Sequence, residues 1–395
     1  MIAYSAKLRH PLYSTLLVLI SLLGVFPLDV ILPSFPTLAD RFRVGAEQIA
    51  YSVSFFAVGV AMAQLVIGPL SDSIGRKRLL LGGLGLAILG ALGCACSTTY
   101  QMFMAFRLLQ ALGCGSLVLG QALVQDLYRD EHRNTMRILL TSSSGLFISI
   151  SPLVGALLQQ SFGWQASFIS FAIIATIVSL LAYVLLPSTT ALQRKASGIS
   201  SYRIMLRDTT FLAYTLQTSL AFSCHFSFIV IAPLLLMSRL GLTTYQFSIV
   251  FIGYGVAYIA GGAAATYLNR RVSPQAQIKA GFLLISAGGI TLVIWERFSE
   301  LSVAGIMLAV LICTTGTTLV RPAATTQALA RYPCQAGAAA SLNTTFLFAG
   351  AGGISSVVAG VERTLPGGLG LLFVLASLCG GWLLAYTKVD EIPCR

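Results

Sequence analysis

Long apolar stretches recur along this sequence at nearly regular intervals, and they constrain the fold more than any other feature. An apolar helix of about 20 residues is long enough to cross the hydrocarbon core of a membrane. Polar segments that are mostly short separate twelve such stretches, at roughly 12–36, 47–70, 79–97, 101–125, 136–160, 165–186, 211–237, 244–268, 277–295, 301–329, 336–360 and 367–386. The spacing predicts a multi-pass membrane protein, because it leaves no room for a water-soluble domain.

The composition excludes the main classes of water-soluble protein. Charged residues make up 10% of the 395 residues, whereas soluble domains carry about 25%. The formal net charge of +12 does not require nucleic acid as a partner, since the basic residues concentrate in the loops predicted on one side of the membrane. That asymmetry is the positive-inside pattern. We therefore expect the lipid bilayer as a partner and no nucleic acid, with both termini in the cytoplasm and the chain in the inner (cytoplasmic) membrane.

The chain divides into two halves with equal numbers of predicted helices. The segment after the sixth stretch is polar, basic and rich in Ser and Thr. We predict an N-terminal six-helix bundle over 1–186, a cytoplasmic linker over 187–210 and a C-terminal six-helix bundle over 211–395. The predicted fold is an all-α membrane protein of twelve transmembrane helices in two pseudo-symmetric six-helix bundles. Internally repeated membrane halves are typical of transporters, so we expect transport and not an enzyme.

Few ionisable residues lie inside the predicted spans. Among the acidic residues only Asp29 does so, together with Arg107, Arg321 and His225. A charge at the centre of a spanning helix costs at least ~2.5–3.5 kcal/mol, so such residues usually face a partner or a wet cavity. Asp29 and Arg107 both lie roughly 10 Å from the outer boundary by helical rise, where they can pair. We predict that they couple transport to protons; a static ion pair that holds helices together is the alternative.

His225 is the second candidate for the proton site, because histidine changes charge nearest to neutral pH. Packing against neighbouring helices is the alternative role. Arg321 precedes Pro322 and would favour an anionic substrate, although it can instead reach a helix end or the membrane surface. Further polar and aromatic residues inside the spans either line a substrate cavity or pack between helices. With Arg321, the candidates for substrate binding are Asp29, His225, Gln121, Gln217, Tyr254, Asn343, Phe26, Phe147 and Phe346.

The cysteines are spread singly, without a His/Cys cluster at metal-ligand spacing. We therefore expect no metal site and no cofactor. The glycine-rich patterns do not follow a strand, so nucleotide binding is not expected either.

Four motifs lie in the N-terminal half. The turn between the second and third spans reads Gly68-Pro-Leu-Ser-Asp72-Ser-Ile-Gly75-Arg76-Lys77. Span four contains Arg107-Leu-Leu-Gln110-Ala-Leu-Gly113, span five contains Gly145 and Pro152-Leu-Val-Gly155, and span one contains Asp29-Val-Ile-Leu-Pro33. Together they resemble the signatures of the major facilitator superfamily, drug:proton antiporter branch, and of its bicyclomycin-resistance-type exporters. The chain departs from these signatures at Ser73, Ala111 and Ser151.

The resemblance implies a monomeric proton-coupled antiporter that exports a small organic molecule from the cytoplasm by alternating access. It assigns a gating motif to Gly68, Asp72, Gly75, Arg76, Lys77 and Asp126, and an antiporter helix to Gly145, Pro152 and Gly155. Two alternatives stay open. One is an exporter dedicated to an anionic or carboxylate natural product such as a siderophore; the other is a non-transporting membrane sensor or scaffold with a transporter fold.

Overall fold

The computed structural model describes residues 2–128, 130–187, 199–268, 271–332, 335–360 and 366–387. For some helical residues in these ranges only the backbone is described, and the side chains of Asp72, Gln121 and Asp126 are among those outside the description. The predicted linker also falls largely outside it, although the short helix Ile199–Met205 lies at its end.

The described residues contain twelve helical segments that are long and apolar enough to cross a membrane. We number them span 1 to span 12, with the bounds Pro11–Phe42, Ala46–Gly68, Arg76–Ala95, Tyr100–Val124, Ser143–Phe162, Gln165–Leu185, Thr209–Arg239, Thr244–Leu268, Pro274–Phe298, Val303–Ala330, Gly337–Gly360 and Gly367–Tyr386. The prediction of twelve transmembrane helices is confirmed.

Several helices extend beyond the apolar part of their span. Span 2 lies in the helix Ala46–Ile74, span 5 in Asp130–Phe162, and span 11 in Ala336–Gly360. Span 12 consists of the helix Gly367–Leu383 followed by the 3-10 turn Leu384–Tyr386.

Spans 1, 4 and 7 are not continuous α-helices. Span 1 combines the helix Ile2–Asp29, the 3-10 turn Leu32–Ser34 and the helix Phe35–Phe42. Span 4 joins the helices Tyr100–Cys114 and Leu119–Leu127 through the 3-10 turn Gly115–Val118, and span 7 changes at Pro233 from α-helix to π-helix over Pro233–Arg239. Irregular backbone inside a membrane is tolerated only where protein buries it or where it lines a cavity. We therefore expect the functional site beside the irregular segments of these spans.

The two halves repeat one packing arrangement. In the N-terminal half, span 1 packs against spans 5 and 6, span 3 against spans 4 and 6, and span 2 against span 4. Each of these pairs has a counterpart six spans later in the C-terminal half. Between the halves, span 2 packs against span 11 and span 5 against span 8. The prediction of two pseudo-symmetric six-helix bundles is confirmed.

In each half, a tyrosine at the corresponding position joins the end of one span to the start of another at the same membrane face. The Tyr128 hydroxyl, just after span 4, lies 2.8 Å from Ser14 Oγ at the start of span 1. Tyr332, just after span 10, donates a 3.1 Å hydrogen bond to Asp208 at the start of span 7. We call this face, which also carries the turn between spans 2 and 3, the basic face, and the other one the opposite face.

Candidate functional site

Asp29 lies at the break in span 1. Pro33 has no backbone N–H, so it cannot donate to the Asp29 carbonyl as the fourth residue onward does in an α-helix. The helix accordingly ends at Asp29, and the chain continues into the 3-10 turn Leu32–Ser34. The Asp29 side chain is buried, with 3% of its surface exposed. Local sequence thus places a buried carboxyl group beside irregular backbone.

Arg107 of span 4 caps the broken helix. Its Nη2 donates a 3.0 Å hydrogen bond to the Pro27 carbonyl, and its Nη1 donates a 2.9 Å hydrogen bond to Gln110 Oε1. The guanidinium also lies 4.4 Å from the centroid of the Phe56 ring. The last carbonyls of a helix lack intrahelical partners and carry partial negative charge, so a cation stabilises them.

Asp29 and Arg107 lie in one region but do not form the ion pair that their predicted depths suggested. Within the described part of the chain, Asp29 has no hydrogen bond and no basic group at ion-pairing distance. The depth estimate took Pro36 as the outer end of span 1, whereas that span continues to Phe42. Equal depth along two helices does not determine where their side chains point, and the coupling role of both residues stays a prediction.

Polar side chains of the C-terminal half form a second group, which we call the His225 cluster. The Tyr254 hydroxyl and His225 Nδ1 share a hydrogen bond, and their rings stack with centroids 5.4 Å apart. The Tyr258 ring lies 5.3 Å from the His225 ring, and its hydroxyl accepts a 3.0 Å hydrogen bond from Arg321 Nη1. The Arg321 guanidinium also lies 4.5 Å from the centroid of the Phe222 ring. Spans 7, 8 and 10 thus bring together three of the predicted residues.

Tyr258 was absent from the sequence-based predictions. It lies four positions after Tyr254 in the helix of span 8. Residues at that spacing are neighbours on one face of a helix. The repeated tyrosine was the signal available in the sequence.

Asp29 lies near the His225 cluster across the boundary between the halves. Its carboxyl group is close enough to the Tyr254 hydroxyl for an electrostatic interaction, and the turn Leu32–Ser34 packs against span 8. Tyr254 is fully buried and His225 is 2% exposed. Because charges interact more strongly in a low-dielectric interior than in water, the Asp29 carboxyl group is an electrostatic neighbour of the Tyr254 hydroxyl.

Span 5 contacts the break in span 1 through Gly155. A Cβ at Gly155 would lie 2.9 Å from the Val30 carbonyl carbon and 3.2 Å from the Val30 Cα. Glycine is therefore required for this approach of two backbones, directly after Asp29.

The same span contacts span 8 along its other positions. The Pro152 carbonyl accepts a 3.2 Å hydrogen bond from Ser248 Oγ. A Cβ at Gly145 would lie 3.5 Å from the Tyr258 ring, in ordinary van der Waals contact. The predicted antiporter helix thus lies between the Asp29 break and the helix that carries two tyrosines of the His225 cluster.

A cavity of about 230 Å³ lies between spans 1, 2, 4, 5 and 11. Its lining is apolar apart from a few uncharged polar side chains, and as far as the structure describes it, it contains no charged residue. Phe56 lies on its wall and also contacts Arg107. Phe348 lies on the wall too, and its ring packs 5.7 Å from Phe222 of the C-terminal half. The cavity therefore adjoins both the Arg107 cap and the His225 cluster.

The residues predicted to bind substrate do not line this cavity, as far as their side chains are described. Gln217 instead donates a 3.1 Å hydrogen bond to the Gly380 carbonyl, which joins span 7 to span 12 and matches the packing alternative. Four others are buried or half-buried outside the lining: Phe26, Phe147, Asn343 and Phe346. Sequence reasoning missed the polar lining residues Ser21, Gln64, Ser144 and Thr344 and the aromatic ones Phe56 and Phe348.

The turn between spans 2 and 3 is fixed by bonds within the N-terminal half. Gly75 has a φ of 95°, a conformation that glycine adopts without strain. Arg76 donates to the Ala122 carbonyl of span 4. Lys77 Nζ lies 2.7 Å from the carbonyl oxygens of Tyr183 and Leu186 at the end of span 6. Lys77 thus caps the end of span 6, whereas Arg76 binds a carbonyl inside the last helix of span 4. The side chains of the predicted gating residues Asp72 and Asp126 lie outside the description.

Gly68 lies where the two halves meet at the basic face. A Cβ at Gly68 would lie 2.9 Å from Ser341 Cβ and 3.0 Å from the Tyr202 hydroxyl oxygen. Ser341 Oγ accepts a 3.2 Å hydrogen bond from Tyr202 and donates a 2.8 Å one to the Gln64 carbonyl. Span 2, span 11 and the helix Ile199–Met205 are therefore held together at this point.

The fold and the buried polar groups between its two halves define a membrane transporter. The model of the Major Facilitator Superfamily matches residues 17–356, and the chain belongs to that superfamily. The crystal structure of a D-xylose-proton symporter has the same fold, with a TM-score of 0.72 and 14% identity over 96% of this chain and 99% of that one.

Curated relatives narrow the assignment to the drug-exporter branch. A chloramphenicol resistance protein of Pseudomonas aeruginosa is 30% identical over 75% of this chain and 72% of its own. A bicyclomycin resistance protein homolog of Haemophilus influenzae is 25% identical over 93% of each chain. Multidrug resistance protein MdtL of Shigella dysenteriae is 28% identical over 80% of each. The predicted membership in this branch is confirmed.

Proposed function

We propose that the chain is a proton-coupled antiporter that exports small drug-like molecules from the cytoplasm by alternating access. The observation that carries this proposal is the environment of Asp29. Its carboxyl group is buried without a hydrogen bond or ion pair to any described residue. A bare carboxylate in such a place costs several kcal/mol, and the group avoids that cost by binding a proton.

Alternating access couples the binding and release of this proton to the movement of substrate. When span 1 and span 8 separate, water reaches Asp29 and the carboxylate becomes solvated, so the proton is released. When the halves close around Asp29, the protonated form fits the dry environment again. Because Asp29 lies near Tyr254, the charge of the Asp29 carboxyl group affects the C-terminal half when the two halves are closed.

His225 and Arg107 support this cycle in different ways. The hydrogen bond between Tyr254 and His225 lies near Asp29. It can reorient when Asp29 gains or loses its proton. Arg107 keeps the break in span 1 in a fixed position through the Pro27 carbonyl, and it does so without neutralising Asp29. We therefore assign proton binding to Asp29, the response to it to His225, and positioning to Arg107.

The basic face is proposed to be cytoplasmic, with both termini on that side and residues 187–210 linking bundles 1–186 and 211–395. The contact of Gly68 with Ser341 and Tyr202 then closes the cytoplasmic entrance. Opening it requires this contact to part, which assigns a gating role to the turn that follows Gly68.

The energy of one proton is sufficient for export. An elementary charge gains about 2.3 kcal/mol per 100 mV of membrane potential, which supports roughly a forty-fold gradient of a neutral substrate. A pH gradient adds to it.

The alternative of a dedicated exporter for anionic natural products depended on Arg321. That guanidinium is bonded to Tyr258 and stacked on Phe222, and the 230 Å³ cavity has an uncharged lining. We therefore favour uncharged cargo over carboxylates such as siderophores.

Transport into inverted membrane vesicles tests the function. Vesicles with an acidic interior are loaded externally with chloramphenicol, a lipophilic cation or a carboxylate siderophore. Accumulation that an uncoupler abolishes is expected for the antiporter. Binding without flux would instead identify a membrane sensor or scaffold, and accumulation only with the opposite pH gradient would identify an importer.

A further inference from the structure

Among the described side chains that line the 230 Å³ cavity, the carboxamide of Gln64 has unused hydrogen-bonding capacity. Ser21 Oγ and Ser144 Oγ lie 2.7 Å apart and bond to each other. Thr344 Oγ1 donates to the carbonyl of Ala340, 2.9 Å away, one turn earlier in its own helix. The carboxamide of Gln64, by contrast, has no hydrogen bond to any described residue, and its Oε1 is buried.

Gln64 is held in this position by its backbone. Its carbonyl accepts the 2.8 Å hydrogen bond from Ser341 Oγ, and its side chain is 5% exposed on the cavity wall. A buried polar group left without a hydrogen-bond partner is destabilising. A ligand that supplies the missing partner therefore recovers that free energy, whereas an apolar ligand does not.

We propose that this cavity selects neutral amphipathic molecules that bear an amide or hydroxyl group, through a hydrogen bond to the Gln64 carboxamide. A carboxamide offers both N–H donors and a carbonyl acceptor, so it pairs well with another amide or with a hydroxyl. Phe56 and Phe348 supply aromatic walls for the apolar part of the molecule. The uncharged lining provides no counter-ion, so a cation or an anion would enter at the cost of its hydration.

The size of the cavity limits the occupant. Sites for drug-sized ligands usually measure about 300–1,000 Å³, and this cavity has about 230 Å³. A small single-ring molecule fits such a volume better than a large chelator. The proposal specifies the cargo class of the exporter function proposed above and rests on it.

A matched set of probes tests the selectivity directly. The set shares a phenylbutyl scaffold and differs only in its head group: a primary amide, a dimethylamide, a carboxylate and an ammonium. Binding to the purified full-length protein in lipid nanodiscs is measured by isothermal titration at one pH, without a gradient. For the unmodified protein we expect the primary amide to bind about ten-fold more tightly than the dimethylamide, and both charged probes to bind more weakly than the primary amide.

Two variants complete the test. Gln64→Met keeps the length of the side chain and removes the amide, so the ratio between the primary amide and the dimethylamide should fall close to one. Gln101→Met is the control, because it makes the same change at an exposed glutamine that does not line the cavity, and it should leave the ratio unchanged. Should Gln64→Met fail to fold, the order of the four probes on the unmodified protein still decides.

Tightest binding of the carboxylate or the ammonium, or an unchanged ratio in Gln64→Met, overturns the proposal. Because no proton gradient is involved, these results are independent of whether transport is proton-coupled. Failure of vesicle transport together with a Gln64-dependent amide preference would reject the antiporter function and keep the binding site.

Discussion

Arg107 donates a 3.0 Å hydrogen bond to the backbone carbonyl of Pro27, two residues before Asp29. The bond joins span 4 to the point at which span 1 loses its helical hydrogen bonds. It does not supply a counter-charge to the Asp29 carboxyl group, since the guanidinium is directed to the backbone and to Gln110, and no other described residue pairs with that carboxyl group. Arg107 therefore determines the position of the break in span 1, whereas Asp29 supplies the ionisable carboxyl group. Mutations of the two residues can separate these properties.

Arg107→Lys should weaken the structure because an ammonium group cannot reproduce the planar fork that contacts Pro27 and Gln110. We expect a loss of about 1–3 kcal/mol, seen as a lower melting temperature of the purified protein. Arg78→Lys is the matched control, as Arg78 is exposed. Equal melting temperatures for the two variants would show that the cap on span 1 contributes nothing to stability.

Asp29→Asn should abolish accumulation against a gradient while leaving exchange of substrate down its gradient, because asparagine keeps the shape of the side chain but cannot bind and release a proton. The measurement is substrate uptake into inverted vesicles with and without an imposed pH gradient. Asp40→Asn is the control, since Asp40 lies exposed near the opposite face. Accumulation at the unmodified level in Asp29→Asn would falsify the assignment of this carboxyl group.

The sequence was sufficient to predict the helices and their division into two bundles, because length and apolar composition alone determine whether a segment spans a membrane. It was less reliable at helix ends. Span 1 was predicted to end at 36, where its apolar run stops. Its last helix, Phe35–Phe42, continues for several residues beyond that point.

The site was predicted only in part, for a physical reason. A spanning helix is apolar on all sides, so its hydrophobic pattern does not reveal which face points to a neighbour. Depth along the helix therefore brought Asp29 and Arg107 into one region without identifying the Pro27 carbonyl as a partner of Arg107. For the same reason the sequence did not show that Gln64 faces a cavity while Gln217 bonds a neighbouring helix.

Gly155→Ala should disturb transport through the backbone of span 1. The added Cβ would lie 2.9 Å from the Val30 carbonyl carbon, and neither backbone can yield as a flexible side chain would. Overpacking of this kind typically costs about 1–3 kcal/mol, so we expect a lower melting temperature together with slower uptake. Gly262→Ala is the control, because nothing lies within 4 Å of a Cβ there. Wild-type behaviour of both variants would contradict the contact between spans 5 and 1.

Gly68→Ala should loosen the closure of the basic face. Its methyl group would meet Ser341 Cβ at 2.9 Å, which pushes span 2 away from span 11. Hydrogen–deuterium exchange should then rise in peptides that cover the ends of these two spans at the basic face. Gly337→Ala provides a control in the same helix as Ser341, because a Cβ at Gly337 meets nothing within 4 Å. The gating interpretation fails if exchange rises equally in both variants or in neither.

Tyr332→Phe should reduce the loss of stability at alkaline pH. Burial, together with the neighbouring Asp208 carboxylate that accepts its hydrogen bond, raises the pKa of Tyr332 to about 12, whereas an unfolded tyrosine has a pKa of about 10. The folded protein therefore retains a proton that the unfolded chain loses in this interval. The resulting stabilisation is fully present below about pH 10 and disappears as the pH approaches about 12.

The measurement is the melting temperature at several pH values across that window, where the phenylalanine variant should show the shallower decline. Tyr386→Phe removes an exposed hydroxyl and should decline as the unmodified protein does; the same slope in all three proteins would rule out a contribution from Tyr332.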